Sequence, residues 1–426
     1  MSITTTDVSI APGLRRLFSP LKFRSFTVRN RIVNTVHSTS LPPDRNLEYL
    51  RARARGGVGL MGISAGRGVL EYVPGVHSSS RASAWDVTPM SPLSDEGIAF
   101  YDAEVIPNLA ASADVIHAEG AHCFGQVVHA GAALPWTVLR PLVGPSGLRD
   151  PEHGISAVPL SRDHIAELVH VFAHGIRRIH EAGLDGAELH GAHGYLLNAF
   201  LSPYSNRRDD EYGGDAMGRA RFATEIVAAA RAMVGDDFDI GIRVGIDADG
   251  VKRGLTTSDL VEVCKALAPH VDYISVSGGN HTGLGVGREQ AYVEPYMVEQ
   301  GFNAPFAAAV KAAVDVPVFV TGRFVDPSVA ESILRDGVAD MVGMVRALIA
   351  DPDLPAKARS GRSLDVRPCL ALSECHHVGS HRTPVTCAMN AAAGREREME
   401  IHPADEPKSV AVIGAGPAGL EAARVA

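Results

Sequence analysis

The sequence has no run of like charge and no apolar stretch that reaches the roughly 18 residues suggesting a membrane span. Its first residues, Met-Ser-Ile-Thr-Thr-Thr-Asp, lack a basic region followed by an apolar one, so no secretory leader is read. A net charge of −9 offers no basic field to draw in nucleic acid. Cysteine is sparse, five in 426 residues, which excludes a disulfide scaffold. Cys123 and Cys264 lie in apolar segments and read as inert core thiols, whereas Cys369, Cys375 and Cys387 cluster near the end. What is present is 46% hydrophobic residues, enough for one large core and a second small one. The expectation is a cytoplasmic enzyme with a small-molecule substrate and neither a nucleic-acid nor a membrane partner.

Residues 1–14 carry Ser, Thr, Pro and Gly without period and read as a loose N-terminal arm. Apolar runs at 28–36, 58–63, 122–128, 186–189, 239–244, 273–277, 318–321 and 341–343 then predict strands. Between them, 46–57, 95–119, 161–181, 216–233, 256–267, 304–314 and 327–336 have helical composition or periodicity, with Ser161 as a cap. The Gly- and Pro-rich stretches 64–92 and 130–160 predict long loops, which a compact domain keeps only for function. Strand and helix alternate eight times across 15–355, the α/β pattern of a (β/α)8 TIM barrel. An open doubly wound sheet would alternate too. It would not need the polar residues that follow strand after strand here, at the end where such barrels place active sites.

The chain is organised around residues 185–197, Asp-Gly-Ala-Glu-Leu-His-Gly-Ala-His-Gly-Tyr-Leu-Leu. A short buried strand ends in His190 and His193, three apart and able to donate to one oxygen, with Tyr195 two further on as a proton donor. Gln126 and Arg243 stand near the ends of two other strands. Gly322-Arg323, and Gly343 followed by Arg346, suit an anion site after the last two strands, where glycine admits backbone N–H groups and arginine adds a bidentate contact.

His-x-x-His-Gly-Tyr-Leu, followed by Phe-Leu-Ser-Pro-x-x-Asn-x-Arg-x-Asp-x-Tyr-Gly-Gly up to Gly214, resembles the signature of the old yellow enzyme family over residues 15 to about 350. That resemblance implies an FMN-binding barrel. It would place Gly322, Arg323, Gly343 and Arg346 on the FMN phosphate, and Gln126 and Arg243 on the pyrimidine edge of the flavin, where positive charge favours the anionic reduced ring. His37, just after the first strand, joins this cofactor set. His190 and His193 would polarise a carbonyl oxygen, and Tyr195 would protonate the α-carbon.

Residues 356–407 resemble the iron–sulfur segment of the larger members, 2,4-dienoyl-CoA reductase and trimethylamine dehydrogenase, which implies a [4Fe-4S] cluster. The spacing here is C-x5-C-x11-C, with Leu372 (or Ala371) where the family has a further cysteine. Cys369, Cys375 and Cys387 therefore cannot give four-thiolate ligation. Two alternatives stay open: three thiolates helped by His376 or His377, or a segment that keeps its fold without metal. Residues 408–426 hold Gly414-x-Gly416-x-x-Gly419 in a strand-turn-helix context, a dinucleotide fingerprint. The βα start is incomplete for FAD or NAD(P), and the chain reads as the front portion of a longer protein.

His37 is followed by Ser38, not by the cysteine through which the amine dehydrogenase attaches its flavin, so FMN is expected to be non-covalent. His190 stands where that enzyme has tyrosine. Both differences favour a reductase of activated C=C bonds, enone or enoyl thioester, driven by NAD(P)H. Amine dehydrogenation or N-demethylation is the alternative, and an FMN-binding module without catalysis is the second.

Overall fold

The computed structural model describes residues 10–64, 105–132, 142–148, 156–246, 254–279, 293–376 and 383–426. Eight short apolar runs become parallel strands: β1 Ile32–Asn34, β2 Leu60–Ser64, β3 His122–Val127, β4 Gly186–Gly191, β5 Asp239–Ile246, β6 Tyr273–Gly278, β7 Val318–Thr321 and β8 Met341–Gly343. They close in that order, with Val342 of β8 beside Ile32 of β1, into one barrel. Because helices cover the outside and side chains fill the inside, β4, β5 and β6 are buried at every position.

The wall is α1 Pro43–Arg55, α2 Val105–His117, α3 Arg162–Glu181, α4 Ala216–Val234, α5 Thr257–Leu267, α6 Ala304–Lys311, α7 Pro327–Arg335 and α8 Val345–Ala350. Their starts are written in the sequence. Ser161 Oγ accepts the His164 N–H, Asp215 accepts the Gly218 N–H, and Thr256 with Asp259 forms a reciprocal capping box. The apolar stripe of α3, including Leu168, Phe172 and Ile176, lies fully buried against the barrel. Each such side chain contributes about 1.5–3 kcal/mol through burial.

Inside the barrel, Phe23, Val33, Leu60, Phe124, Tyr273, Phe319 and Met341 form a separate plug. Tyr273 and Phe319 stack at 4.5 Å, and a Cβ at residue 241 would fall within the Tyr273 ring, so β5 carries Gly241 there.

Several expectations need correction. The strand expected over 28–36 is two pieces. Thr27–Val28 pairs antiparallel with Leu21–Lys22, and the barrel strand starts only at Ile32. Asn30 breaks the run, its Oδ1 accepting the Ile32 N–H in a local turn. The arm is not loose from residue 10 onward: the Ala11 N–H donates to Arg359 O, and Leu14 is buried. The loop expected over 130–160 contains a short pairing, Val143–Gly144 with Val158–Pro159. The expected loop at 65–92 and the first half of the helix expected from 95 lie outside the described residues, as does residue 377. Residues 408–416 form no strand, because no neighbouring strand completes their hydrogen bonds, and Ile413 is fully exposed. Only the helix Pro417–Val425 of that fingerprint forms.

Candidate active site

At the carboxyl end of the strands lies a cavity of about 420 Å³. All ten residues expected to handle flavin and substrate line it: His37, Gln126, His190, His193, Tyr195, Arg243, Gly322, Arg323, Gly343 and Arg346. Each strand end contributes for its own local reason. β4 delivers His190, and the chain then turns sharply through His193 at φ 63° and Gly194 at φ 81°. A left-handed histidine costs on the order of 1–3 kcal/mol and persists only where surrounding contacts fix it. Here Asn198 does so: its Oδ1 accepts the Gly194 N–H at 2.8 Å, while its Nδ2 donates to Gly245 O on β5. The turn aims His193 Nε2 at Ser277 Oγ on β6, 2.8 Å away. Tyr195 then heads a short helix, Leu196–Leu201. The His190 ring sits 5.0 Å from that of His193 and 4.9 Å from that of Tyr195, so the three tips share one small volume. Burial pushes the Tyr195 hydroxyl up to about 12, which keeps its proton in place at neutral pH.

Gln126 and Arg243 meet a residue that the sequence reading passed over. Glu188 on β4 is fully buried, and its Oε1 accepts from Gln126 Nε2 at 2.6 Å and lies 3.3 Å from Arg243 Nε. Burial pushes the Glu188 carboxyl upward, against the pull of Arg243 and the hydrogen bond from Gln126. A carboxylate inside a strand buried on both faces was the available signal, because such residues are almost never enclosed unless paired.

At the opposite wall, Arg346 donates from Nη1 to Glu294 O and lies 3.2 Å from Glu294 Oε2 through Nη2. Nothing in the sequence around Glu294 marked it. His37 Nε2 contacts the Tyr49 hydroxyl at 2.8 Å, and burial holds its imidazole down at about 4, so it is neutral. Tyr49 in turn carries the buried Arg53 guanidinium over its ring, and Arg53 pairs with Glu396 at 2.8 Å, tying the cysteine-containing segment to α1.

The residues fit a flavin mononucleotide. Among the described residues, Arg243 Nη2 and Arg323 Nε are buried donors without a hydrogen-bond partner. Gly322 and Gly343 line the cavity, and a Cβ on Gly343 would lie 2.6 Å from Thr321 Cγ2, so only glycine fits beside that strand. Guanidinium donors at one wall and at the Arg243 edge match an anionic phosphate and a ring that accumulates negative charge.

A four-thiolate iron–sulfur cluster does not fit. The three thiols do gather: charge on Cys369 or Cys387 would raise Cys375, whose thiol burial already pushes up to about 11. The Ala371 N–H donates to Cys369 Sγ, and Ala371 and Ser373 hold positive φ in the intervening loop. Leu372, at the fourth-cysteine position, turns outward and is 56% exposed, while Ala371 is buried and has no ligand atom. His376 lines the cavity beside Cys375.

Residues 16–365 match the model of the NADH:flavin oxidoreductase / NADH oxidase family. The chain is 37% identical over 418 residues to a metal reductase of Desulforamulus reducens, spanning 96% of this chain and 58% of that protein. It is 35% identical to an N,N-dimethylglycine/sarcosine dehydrogenase of Chromohalobacter salexigens, again over 96% of this chain and 58% of the relative. The solved 2-naphthoyl-CoA reductase in complex with 2-naphthoyl-CoA superposes with a TM-score of 0.81 at 28% identity, over 97% of this chain and 63% of that one. The chain thus spans somewhat more than half the length of these proteins. With its closed parallel barrel and the matched model over most of its length, the chain belongs to the NADH:flavin oxidoreductase / NADH oxidase family.

Proposed function

We propose that this chain binds FMN non-covalently and reduces an activated C=C bond, in an enone or enoyl thioester, with electrons from NAD(P)H. The observation that carries the reading is the convergence of His190, His193 and Tyr195 on the cavity lined by Gln126, Arg243, Arg323 and Arg346. The bound flavin would supply hydride. His190 and His193 would hold the substrate oxygen, stabilising the negative charge that develops there. Ser277 orients His193 through the 2.8 Å contact. Tyr195, its hydroxyl kept protonated by burial, would give a proton to the carbon next to the carbonyl. Glu188 would position Gln126 and Arg243 under the ring edge, and Arg323 and Arg346 would take the phosphate. No step is assigned to the three cysteines.

Oxidation of an N-methylated amine is the second reading, and the 35% identical dimethylglycine/sarcosine dehydrogenase favours it. Two imidazole N–H donors suit an oxyanion better than a cationic amine, and we place the reductase first. Anaerobic stopped-flow mixing decides: flavin reduced by NAD(P)H is reoxidised by an enone under the first reading. Under the second, sarcosine or dimethylglycine bleaches the oxidised flavin and enones leave the reduced form untouched.

A further inference from the structure

The proposed chemistry occupies the carboxyl end of the barrel, yet three ligand-type side chains meet at the other end, with a cysteine beside one of them. His117 is the last residue of α2, His122 the first of β3, Cys123 the next, and Asp185 immediately precedes β4. His117 Nε2 lies 2.7 Å from Asp185 Oδ2, His122 Nδ1 lies 2.8 Å from Asp185 Oδ1, and Cys123 Sγ lies 3.8 Å from His117 Nε2. One ligand atom from each of His117, His122 and Asp185 falls within 4.8 Å of the others, and no other trio of His, Cys, Asp or Glu among the described residues does so.

We propose that His117, His122 and Asp185 form a binding site for one zinc-class divalent cation, structural in role, with water completing the coordination. The donor set is two imidazole nitrogens and one carboxylate oxygen, all ligands that zinc accepts. Bond lengths of about 2.0–2.2 Å put the edges of a tetrahedral site at roughly 3.3–3.6 Å. The two histidine–carboxylate separations are shorter by about half an ångström because hydrogen bonds now span them, and a metal ion replaces those bonds. On binding, each imidazole turns a nitrogen lone pair to the metal: a neutral ring carries its proton on the other ring nitrogen, and a protonated ring releases one proton to solvent.

The framework is held in advance. Phe26 stacks on the His122 ring at 4.6 Å, Arg29 Nη1 pins the α2–β3 turn through Glu119 O, and the Cys123 N–H donates to Asp185 Oδ2. The side chains of His117 and His122 are 36% and 30% exposed, so the ion reaches the ligands from solvent. The amino-terminal end of such a barrel serves stability, not catalysis, which gives the ion a structural role.

The test is equilibrium dialysis of the full chain against micromolar zinc after chelator treatment, with bound metal counted by elemental analysis. Because Cys369, Cys375 and Cys387 also attract zinc, stoichiometry is compared between variants. His117→Gln keeps an amide donor for Asp185 and is expected to lose one equivalent, as is His122→Ala, with unchanged circular dichroism. Cys375→Ser is expected to keep that equivalent. Equal zinc stoichiometry in wild type, His117→Gln and His122→Ala would overturn the site, whether or not the flavin chemistry holds.

Discussion

Replacing Glu188 by glutamine keeps the shape and one acceptor for Gln126 but removes the only carboxylate paired with Arg243 among the described residues. Both side chains are enclosed, at 0% and 6% exposure, so water cannot solvate the orphaned guanidinium. Breaking a buried pair by removing one partner costs about 3–5 kcal/mol, and the retained amide oxygen places Glu188→Gln near the lower end, about 3 kcal/mol. Arg243→Met leaves the carboxyl enclosed instead, and that group escapes by taking up a proton, so its cost is expected to be smaller. The double variant Glu188→Leu/Arg243→Met removes both charges and should recover most of the loss, because an apolar pair of similar volume is often neutral or stabilising. Urea unfolding of the flavin-free chain, followed by circular dichroism, measures all three. A loss below about 1 kcal/mol for Glu188→Gln, the range of exposed ion pairs, would refute the reasoning, as would additive costs in the double variant.

Three further outcomes follow from the same structure. Tyr195→Phe should slow reoxidation of the reduced flavin by an enone by roughly 10²–10⁴-fold, the span of general-acid contributions, and leave reduction by NAD(P)H unchanged in stopped-flow traces. Gly241→Ala pushes a methyl group into the Tyr273 ring and separates the Tyr273–Phe319 stack, for an expected loss of about 1–3 kcal/mol read from denaturant midpoints. Burial lowers His129 to about 3 from an ordinary value near 6.5, so the unfolded chain binds its proton first. Stability should therefore fall as pH drops from about 6.5 towards 3, by up to about 5 kcal/mol for this group, and His129→Asn should flatten that part of the pH profile.

The barrel is readable in the sequence because its strands are short apolar runs followed by polar residues, and several of its helices begin at a side-chain cap. Ser161, Asp215 and Thr256 do locally what the fold needs globally. Residues 28–36 mislead because the apolar pattern runs across Asn30, whose side chain folds the backbone into a turn that pattern alone does not register. Residues 408–416 mislead for the opposite reason: their strand pattern is sound, but a strand exists only with a neighbour. The cavity lining is readable because its residues follow strand ends. Their supports are less so. Glu188 sits within the apolar run and is detectable by its charge. Glu294, Tyr49 and Arg53 reach the site through tertiary packing, with Glu396 arriving from 343 positions away in the chain. The cluster at His117, His122 and Asp185 spans a helix end and two strand starts, and only closure of the barrel brings it together.

The central claim is that this cavity holds a flavin and passes its electrons to an activated alkene. An absorbance spectrum of the anaerobically purified chain, recorded alone, after NADH and then after an enone, tests it most directly. The account predicts flavin bands that bleach with NADH and return with the enone. A folded protein without flavin, or a flavin that ignores enones and bleaches with a methylated amine, would contradict it.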